Sequence, residues 1–253
     1  MAPKAVALAA WLLSALATAQ QIGTASPEHH PRLPTKKCTL KGGCKTLQTS
    51  VVIEATTRPF HKIGDPNTRC TVGGELCPDA ATCAQNCALE GVDYAAHGVA
   101  TKGDSLTMNQ WLKAADGSYT TVSPRLYLLA EDGNKYENFQ LLNSELTFDV
   151  DVSKLPCGMN AALYFSEMEM DGGRSALNQA GATYGTGYCD AQCPKLDFIN
   201  GEVIPSLFLS RFPTRSPSSN TPRSSSSPVA TKGVLLTQIS AAQHPAHLRR
   251  MLQ

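Results

Sequence analysis

Residues 146–152 alternate strictly between apolar and polar side chains: Leu146-Thr147-Phe148-Asp149-Val150-Asp151-Val152. Successive side chains of an extended chain point to opposite faces. Leu146, Phe148, Val150 and Val152 therefore share one face, and Thr147, Asp149 and Asp151 the other. This predicts a half-buried antiparallel strand over 145–152, dry on one side and wet on the other. Further strand-like runs cover 51–54 (Val51-Val52-Ile53-Glu54), 105–108, 125–130, 137–142 and 161–168. Turn signals punctuate them at Asp116-Gly117, Asp132-Gly133, Asn143-Ser144, Pro156-Cys157-Gly158 and Asp171-Gly172-Gly173. A cysteine-dense stretch, 70–87, contains a turn at Gly73-Gly74 and a short predicted helix over 79–85. Many short strands and little helical periodicity imply an all-β sandwich or barrel.

The ends of the chain read differently. Lys4 precedes an apolar run over 5–16, followed by Ala17-Thr18-Ala19. A basic start, a short apolar stretch and small residues are the marks of a secretory signal peptide over 1–19, too short to span a bilayer. A buried N-terminal helix is the competing reading. Residues 20–36 are polar and carry Pro27, Pro31 and Pro34, which predicts an irregular lead-in. From Glu202 the composition shifts. Residues 203–253 hold six Lys/Arg, no Asp or Glu, four consecutive serines at 224–227 and no aromatic beyond Phe212. So little apolar surface cannot offset the entropy of ordering, so 202–253 is expected to be a disordered Ser/Pro/Arg-rich tail that is not native coding sequence, with a linker as the functional alternative.

A formal net charge of +1 gives no electrostatic footprint for nucleic acid or a membrane surface. Secretion turns the nine cysteines into expected disulfide partners rather than metal ligands. Cys189 and Cys193 lack a histidine at zinc-ligand spacing. No cofactor or metal is expected.

Longer motifs carry more. The chain reads E-L-T-F-D-V-D-V-S-K-L-P-C-G-M-N-A-A-L-Y-F, then D-G-G, then A-G-A-T-Y-G-T-G-Y-C-D-A-Q-C-P, then F-I-N-G. Over roughly 37–201 it resembles glycoside hydrolase family 7, the fungal cellulases that cut β-1,4-glucan with retention of configuration. The resemblance implies a concanavalin-like β-jelly-roll sandwich of two antiparallel sheets, incomplete in this chain, with the glucan cleft on the concave sheet. It divides the chain into 1–19, a partial catalytic domain at 20–201, and the tail at 202–253. It further implies a secreted, extracellular monomer whose partner is cellulose or another β-1,4-glucan.

The same resemblance implies disulfides Cys38–Cys44, Cys70–Cys87 and Cys77–Cys83. Many relatives have one more, between a cysteine next to the Cys87 position and one near the mature N-terminus. Here Ala88 occupies the first position and no cysteine lies between Gln20 and Lys37. Cys157, Cys189 and Cys193 match family cysteines whose partners lie further along than Glu202. A Cys189–Cys193 bond is the alternative.

Retaining glycosidases need two carboxyl groups about 5–5.5 Å apart. The family places them on an S-E-M-D-x-x-E strand, which does not occur before the change of text at Glu202. Ser166-Glu167-Met168-Glu169-Met170-Asp171 echoes that strand, but Gly172 stands where its last carboxylate belongs. The pleat also sets Glu167 and Glu169 on the face opposite Tyr164. No catalytic residue is therefore assigned. The cleft-lining positions that the resemblance implies are Arg125 in R-L-Y, Tyr164 in A-L-Y-F, and Tyr188, Asp190 and Gln192 in G-Y-C-D-A-Q-C. Aromatic faces suit the C–H surface of a sugar, and planar polar groups suit its hydroxyls. Thr57 and Pro59 replace tunnel tryptophans of many cellobiohydrolases, His97 replaces a common tyrosine, and the segment from Gly173 to Ala180 is short. These departures favour an open-cleft endoglucanase ancestor. Three readings follow: a glucan-hydrolysing cellulase, a glucan-binding remnant without turnover, and a chain that does not fold.

Overall fold

The computed structural model describes residues 21–140, 144–155, 159–166, 168–188, 207–212 and 233–241. In chain order the strands begin with β1 (Gln21–Ile22), β2 (Thr35–Thr39), β3 (Gly43–Leu47), β4 (Ser50–Ile53), β5 (Phe60–Lys62) and β6 (Asp65–Arg69). Helix α1 (Ala80–Asn86) leads into β7 (Cys87–Leu89), β8 (Val99–Lys102), β9 (Ser105–Met108), β10 (Trp111–Lys113) and β11 (Tyr119–Thr121). Then come β12 (Arg125–Leu129), β13 (Asn138–Phe139), β14 (Met159–Ser166), β15 (Leu207–Phe212) and β16 (Gly233–Ala241).

The main sheet runs β15-β14-β16-β12-β4, with β13 also pairing β16. Register joins Leu126 to Ile53, Tyr127 to Val52 and Leu128 to Val51. Strands β4 and β12 carry buried residues on both faces, and the pleat deals these into two cores. Tyr127 and Leu129 join Val52, Tyr136, Ala162, Tyr164 and Ala182 in one. Leu126 and Leu128 join Val51, Ile53, Val92, Tyr94 and Val99 in the other. A strand that is apolar at every position, as Arg125–Leu129 is after its first residue, is what a layer with cover on both faces requires.

A second sheet, β1-β7-β5-β6, carries the cysteine-dense region. Helix α1 starts at Asp79, whose carboxylate accepts from the Thr82 amide, satisfying one of the donors a helix start leaves open. Cys70 bonds Cys87 and Cys77 bonds Cys83, and all four are buried together. Cys38 and Cys44 close the hairpin of β2 and β3.

Three expectations need correction. Residues 144–155 form no strand, and Phe148 and Val150 stand 42% and 51% exposed. Alternation makes a strand only where a neighbour completes the backbone hydrogen bonds, and β16 holds the place between β12 and β14. The tail is the second. Two of its stretches, β15 and β16, pair in the main sheet, although composition averaged over 202–253 argued for disorder. Averages hide short apolar runs such as Val234-Leu235-Leu236, and an open sheet edge is a template for such runs. Third, the lead-in is not wholly irregular: Gln21 and Ile22 pair in parallel with Ala88 and Leu89.

Candidate functional site

At the end of β4 and the start of β12, polar groups gather around the first core. Arg125 and Tyr127 are two residues apart on one strand and so share a face. The Arg125 Nη1 group donates to Glu54 Oε1 at 2.9 Å, and the Tyr127 hydroxyl donates to the same oxygen at 2.9 Å. Glu54 Oε2 accepts from the Thr56 hydroxyl at 2.9 Å. The Arg125 guanidinium lies over the Tyr188 ring, 4.6 Å from its centre. Tyr188 meets Tyr164 edge-on at 6.4 Å and Tyr127 at 6.2 Å, and the Tyr164 and Tyr188 hydroxyls are 3.5 Å apart. Tyr136 packs behind Tyr127 with the rings tilted, centres 5.3 Å apart.

Tyr188 reaches this place through a short glycine-rich turn. The 3-10 turn Gly181–Tyr184 ends at Gly185, whose φ is 70°. A side-chain carbon there would overlap the Ile53 carbonyl oxygen, so only glycine lets this segment lie against β4. The Ala55 amide then donates to the Gly185 carbonyl at 3.0 Å. Buried Asn178 ties the other side. Its amide donates to the Gly172 carbonyl and the Thr186 hydroxyl, and its oxygen accepts from the Gly181 amide.

Burial opposes the charge on Arg125, but the Glu54 carboxylate together with Tyr164, Tyr127 and Tyr188 outweighs it and raises the arginine further. Burial first, and the Glu54 charge next, push the Tyr127 hydroxyl well above its ordinary value. Burial, with the hydrogen bond to Tyr188, does the same to Tyr164. The site thus sets the Arg125 cation beside the Tyr127 and Tyr164 hydroxyls, which burial keeps protonated.

The structure brings Arg125, Tyr164 and Tyr188 together; Asp190 and Gln192 lie outside the described residues. Glu167 does too, while Glu169 is exposed. Tyr164 and Met168 face the first core, and Phe165 faces the other way against Phe139 at 5.5 Å. Glu54 and Tyr127 were missed. The signal was present: R-L-Y places Tyr127 beside Arg125, and Glu54 ends a strand with no other carboxylate near it in sequence.

A second polar group pins the lead-in. Glu28 receives two bonds from Arg58, at 2.5 and 3.0 Å, one from the Tyr94 hydroxyl at 2.6 Å and one from the Val92 amide at 3.2 Å. Burial raises the Glu28 carboxyl, but bonds from His30, Arg58 and Tyr94 overcome it and hold it at about 2. Glu90 binds the Ser26 amide at 2.8 Å and His61 Nε2 at 2.7 Å. This group is structural: it joins segments far apart in sequence. Among the described residues, no three His, Cys, Asp or Glu side chains are placed to hold a metal ion. No helix among them is long and apolar enough to cross a membrane.

Residues 22–208 match the family model of glycosyl hydrolase family 7. The chain belongs to that family. It is 58% identical over 194 residues to a probable endo-beta-1,4-glucanase celB of Aspergillus terreus, covering 74% of this chain and 45% of the relative. It is 53% identical over 196 residues to endoglucanase EG-1 of Hypocrea jecorina, covering 76% of this chain and 42% of that one. Among solved structures it resembles a Melanocarpus albomyces cellobiohydrolase complexed with cellotetraose, with TM-score 0.62, 43% identity, and coverage of 73% and 44%. It likewise resembles Humicola insolens endocellulase Cel7B, with TM-score 0.61, 43% identity, and coverage of 72% and 46%. This family 7 chain thus spans less than half the length of these relatives. Its β-jelly-roll class follows from these neighbours and from its strand-rich architecture.

Proposed function

We propose that this chain is a secreted cellulase-family protein that engages β-1,4-glucan through the face built by Arg125, Tyr127, Tyr164 and Tyr188. Family membership supplies the activity class, retaining hydrolysis of β-1,4-glucosidic bonds in cellulose, and the endoglucanase names among its relatives supply the internal-cleavage variant. For the 253-residue chain itself the reading is binding without turnover. The observation that carries it is the state of Glu54, the carboxylate bonded to this face among the described residues. It is engaged by Arg125, Tyr127 and Thr56. Retention needs a nucleophile and an acid about 5–5.5 Å apart. Glu54 supplies one carboxyl group to this face, and retention needs two.

The ligand class follows from shape. The half-buried Tyr188 ring and Arg125 guanidinium, backed by buried Tyr127 and Tyr164, offer π surface for a pyranose C–H face and polar groups for its hydroxyls. The departures at Thr57 and Pro59 leave the run without tunnel tryptophans, which suits an open cleft. The test uses the purified secreted chain with microcrystalline cellulose and a chromogenic cellobioside. Retention on cellulose without release of chromophore is the expected result. Release of chromophore would restore the hydrolase reading for this chain, and failure to bind would remove the glucan assignment.

A further inference from the structure

We infer that strand β16 is the spacer that assembles the Arg125 face: lying between β12 and β14, it opens the interval that the Tyr188 ring bridges. The spacer role stands on backbone register, and only its consequence for glucan rests on the reading in the preceding subsection.

Register aligns the three strands row by row. Tyr127 of β12 and Tyr164 of β14 both pair with Leu236 of β16, and Arg125 and Ala162 both pair with Gln238. Directly paired residues share a face of a sheet. Tyr127 and Tyr164 therefore stand in one row, on one side, with a single strand between them. Neighbouring strands lie about 4.8 Å apart, so this row sets the two tyrosine backbones about 10 Å apart. The Tyr188 ring lies 6.2 Å from the Tyr127 ring and 6.4 Å from the Tyr164 ring, and so reaches both across that interval. With β12 and β14 as direct neighbours the interval would shrink to about 4.8 Å. That is already the separation of two aromatic rings in contact. Tyr127 and Tyr164 would then pack on each other and close the gap that Tyr188 spans.

The neighbours of β16 in the sheet are not its neighbours in sequence. Strand β15 pairs with the far edge of β14, and residues 213–232 lie between β15 and β16. The place of β16 is thus held by its ladders. It pairs with β14 from Val234 to Ala241, with β12 from Leu236 to Gln238, and with β13 at Gly233 and Val234. The ladder to β12 is the short one, and its fastening point follows from the pleat. The Arg125 carbonyl faces β4, where it accepts from the Glu54 amide. Backbone polar groups of successive strand residues point in opposite directions, so those of Leu126 face β16, at the register position of Thr237. Thr237 is where the spacer fastens to the strand that carries Arg125 and Tyr127.

The experiment compares wild type, Thr237→Pro and Thr237→Val in the full-length chain. Proline removes the backbone donor at this seam and has no place inside a sheet, whereas valine keeps the donor. Nuclear Overhauser contacts from the Tyr188 ring to the Tyr127 and Tyr164 rings are read by NMR without sugar, and cellotetraose affinity by calorimetry. In Thr237→Pro the Tyr188–Tyr127 contact should vanish and affinity should fall at least ten-fold, while the amides of β5 and β7 in the second sheet stay protected from exchange. Thr237→Val should keep both ring contacts. Ring contacts that persist in Thr237→Pro overturn the spacer role. If Thr237→Pro does not fold, hydrogen exchange of the wild type decides. The Thr237 amide should be as well protected as that of Leu126, and free exchange at Thr237 in the folded chain overturns the inference. If the wild type shows the ring contacts but binds no cellotetraose, or if Thr237→Pro loses them with affinity within two-fold of wild type, the spacer stands and the glucan reading of this face falls.

Discussion

Gln21 sits directly opposite Ala88 in the parallel pair of β1 and β7. These are the neighbourhoods in which many family 7 relatives carry an additional disulfide, and this chain has lost both halves. The segment stays in place without it. The Gly23 amide donates to the Leu89 carbonyl at 2.7 Å, and the Gly91 amide to the Ser26 carbonyl at 3.0 Å. The double substitution Gln21→Cys/Ala88→Cys is therefore expected to form a bridge spontaneously in an oxidising medium. Closing a loop between positions 21 and 88 should add roughly 4 kcal/mol on the chain-entropy scale. Denaturant melts with and without reductant measure it. Equal midpoints in both conditions, with the bridge confirmed by mass, would show that the strap is already fully held by its polar contacts.

Those polar contacts have a pH window. Glu28 is held at about 2, below the ordinary glutamate value of 4.5. Its contribution is therefore complete above about 4.5 and disappears as pH falls toward 2, roughly 3 kcal/mol in all. Glu90 is also lowered; burial opposes this, but the Ser26 amide and His61 prevail, so its share is likewise lost in acid. His61 is raised, by the Lys62 carbonyl first and then Glu90 against the cost of burial. Its contribution is complete below about 6.5 and is lost as pH climbs through the raised value. Stability should peak between about 4.5 and 6.5. Glu28→Gln should flatten the acid limb and His61→Gln the alkaline limb in thermal melts from pH 2 to 8. A wild-type melting temperature that is flat across that range contradicts both assignments.

Gly185 is the point at which backbone space decides the site. Its φ is 70°, and an added Cβ would overlap the Ile53 carbonyl oxygen. The left-handed conformation alone costs a side-chain-bearing residue about 1–2 kcal/mol. The overlap adds to that, since the obstacle is backbone and cannot rotate away. Gly185→Ala should therefore destabilise the protein by more than about 2 kcal/mol. It should also displace Tyr188, which follows three residues later. Urea melts measure the first effect, and loss of cellotetraose binding the second. A substitution that leaves both unchanged would mean that the turn is not packed on β4.

The parts of this architecture that were legible in sequence are those whose cause is local. Val51-Val52-Ile53 and Arg125–Leu129 are strands because continuous apolar runs of that length fit a layer covered on both sides. The short helix expected over 79–85 is α1, Ala80–Asn86. Residues 145–152 were misread because alternation states which face a strand would bury, not whether a neighbour exists to pair with it. Gly233–Ala241 was missed for the opposite reason: its pairing is set by partners 68 or more residues away, on β14 and β12. Within the site, motifs pointed to Arg125, Tyr164 and Tyr188. Glu54 was invisible as a partner because the contact joins positions 71 residues apart, across two strands whose register had to be seen.

Tyr127 separates packing from hydrogen bonding at this face. Its ring is fully buried between Tyr136 and Tyr188, and its hydroxyl donates to Glu54 at 2.9 Å. Tyr127→Phe keeps the ring and deletes the donor. A bond to a carboxylate is worth about 1.5–3 kcal/mol, so a loss of stability in that range is expected in denaturant melts. Cellotetraose affinity should stay within about two-fold of wild type, because Arg125 still holds Glu54 Oε1 and the stack on Tyr188 is untouched. A Tyr127→Phe variant that loses more than two-fold in affinity would show that the buried hydroxyl, and not ring packing alone, keeps this face in place.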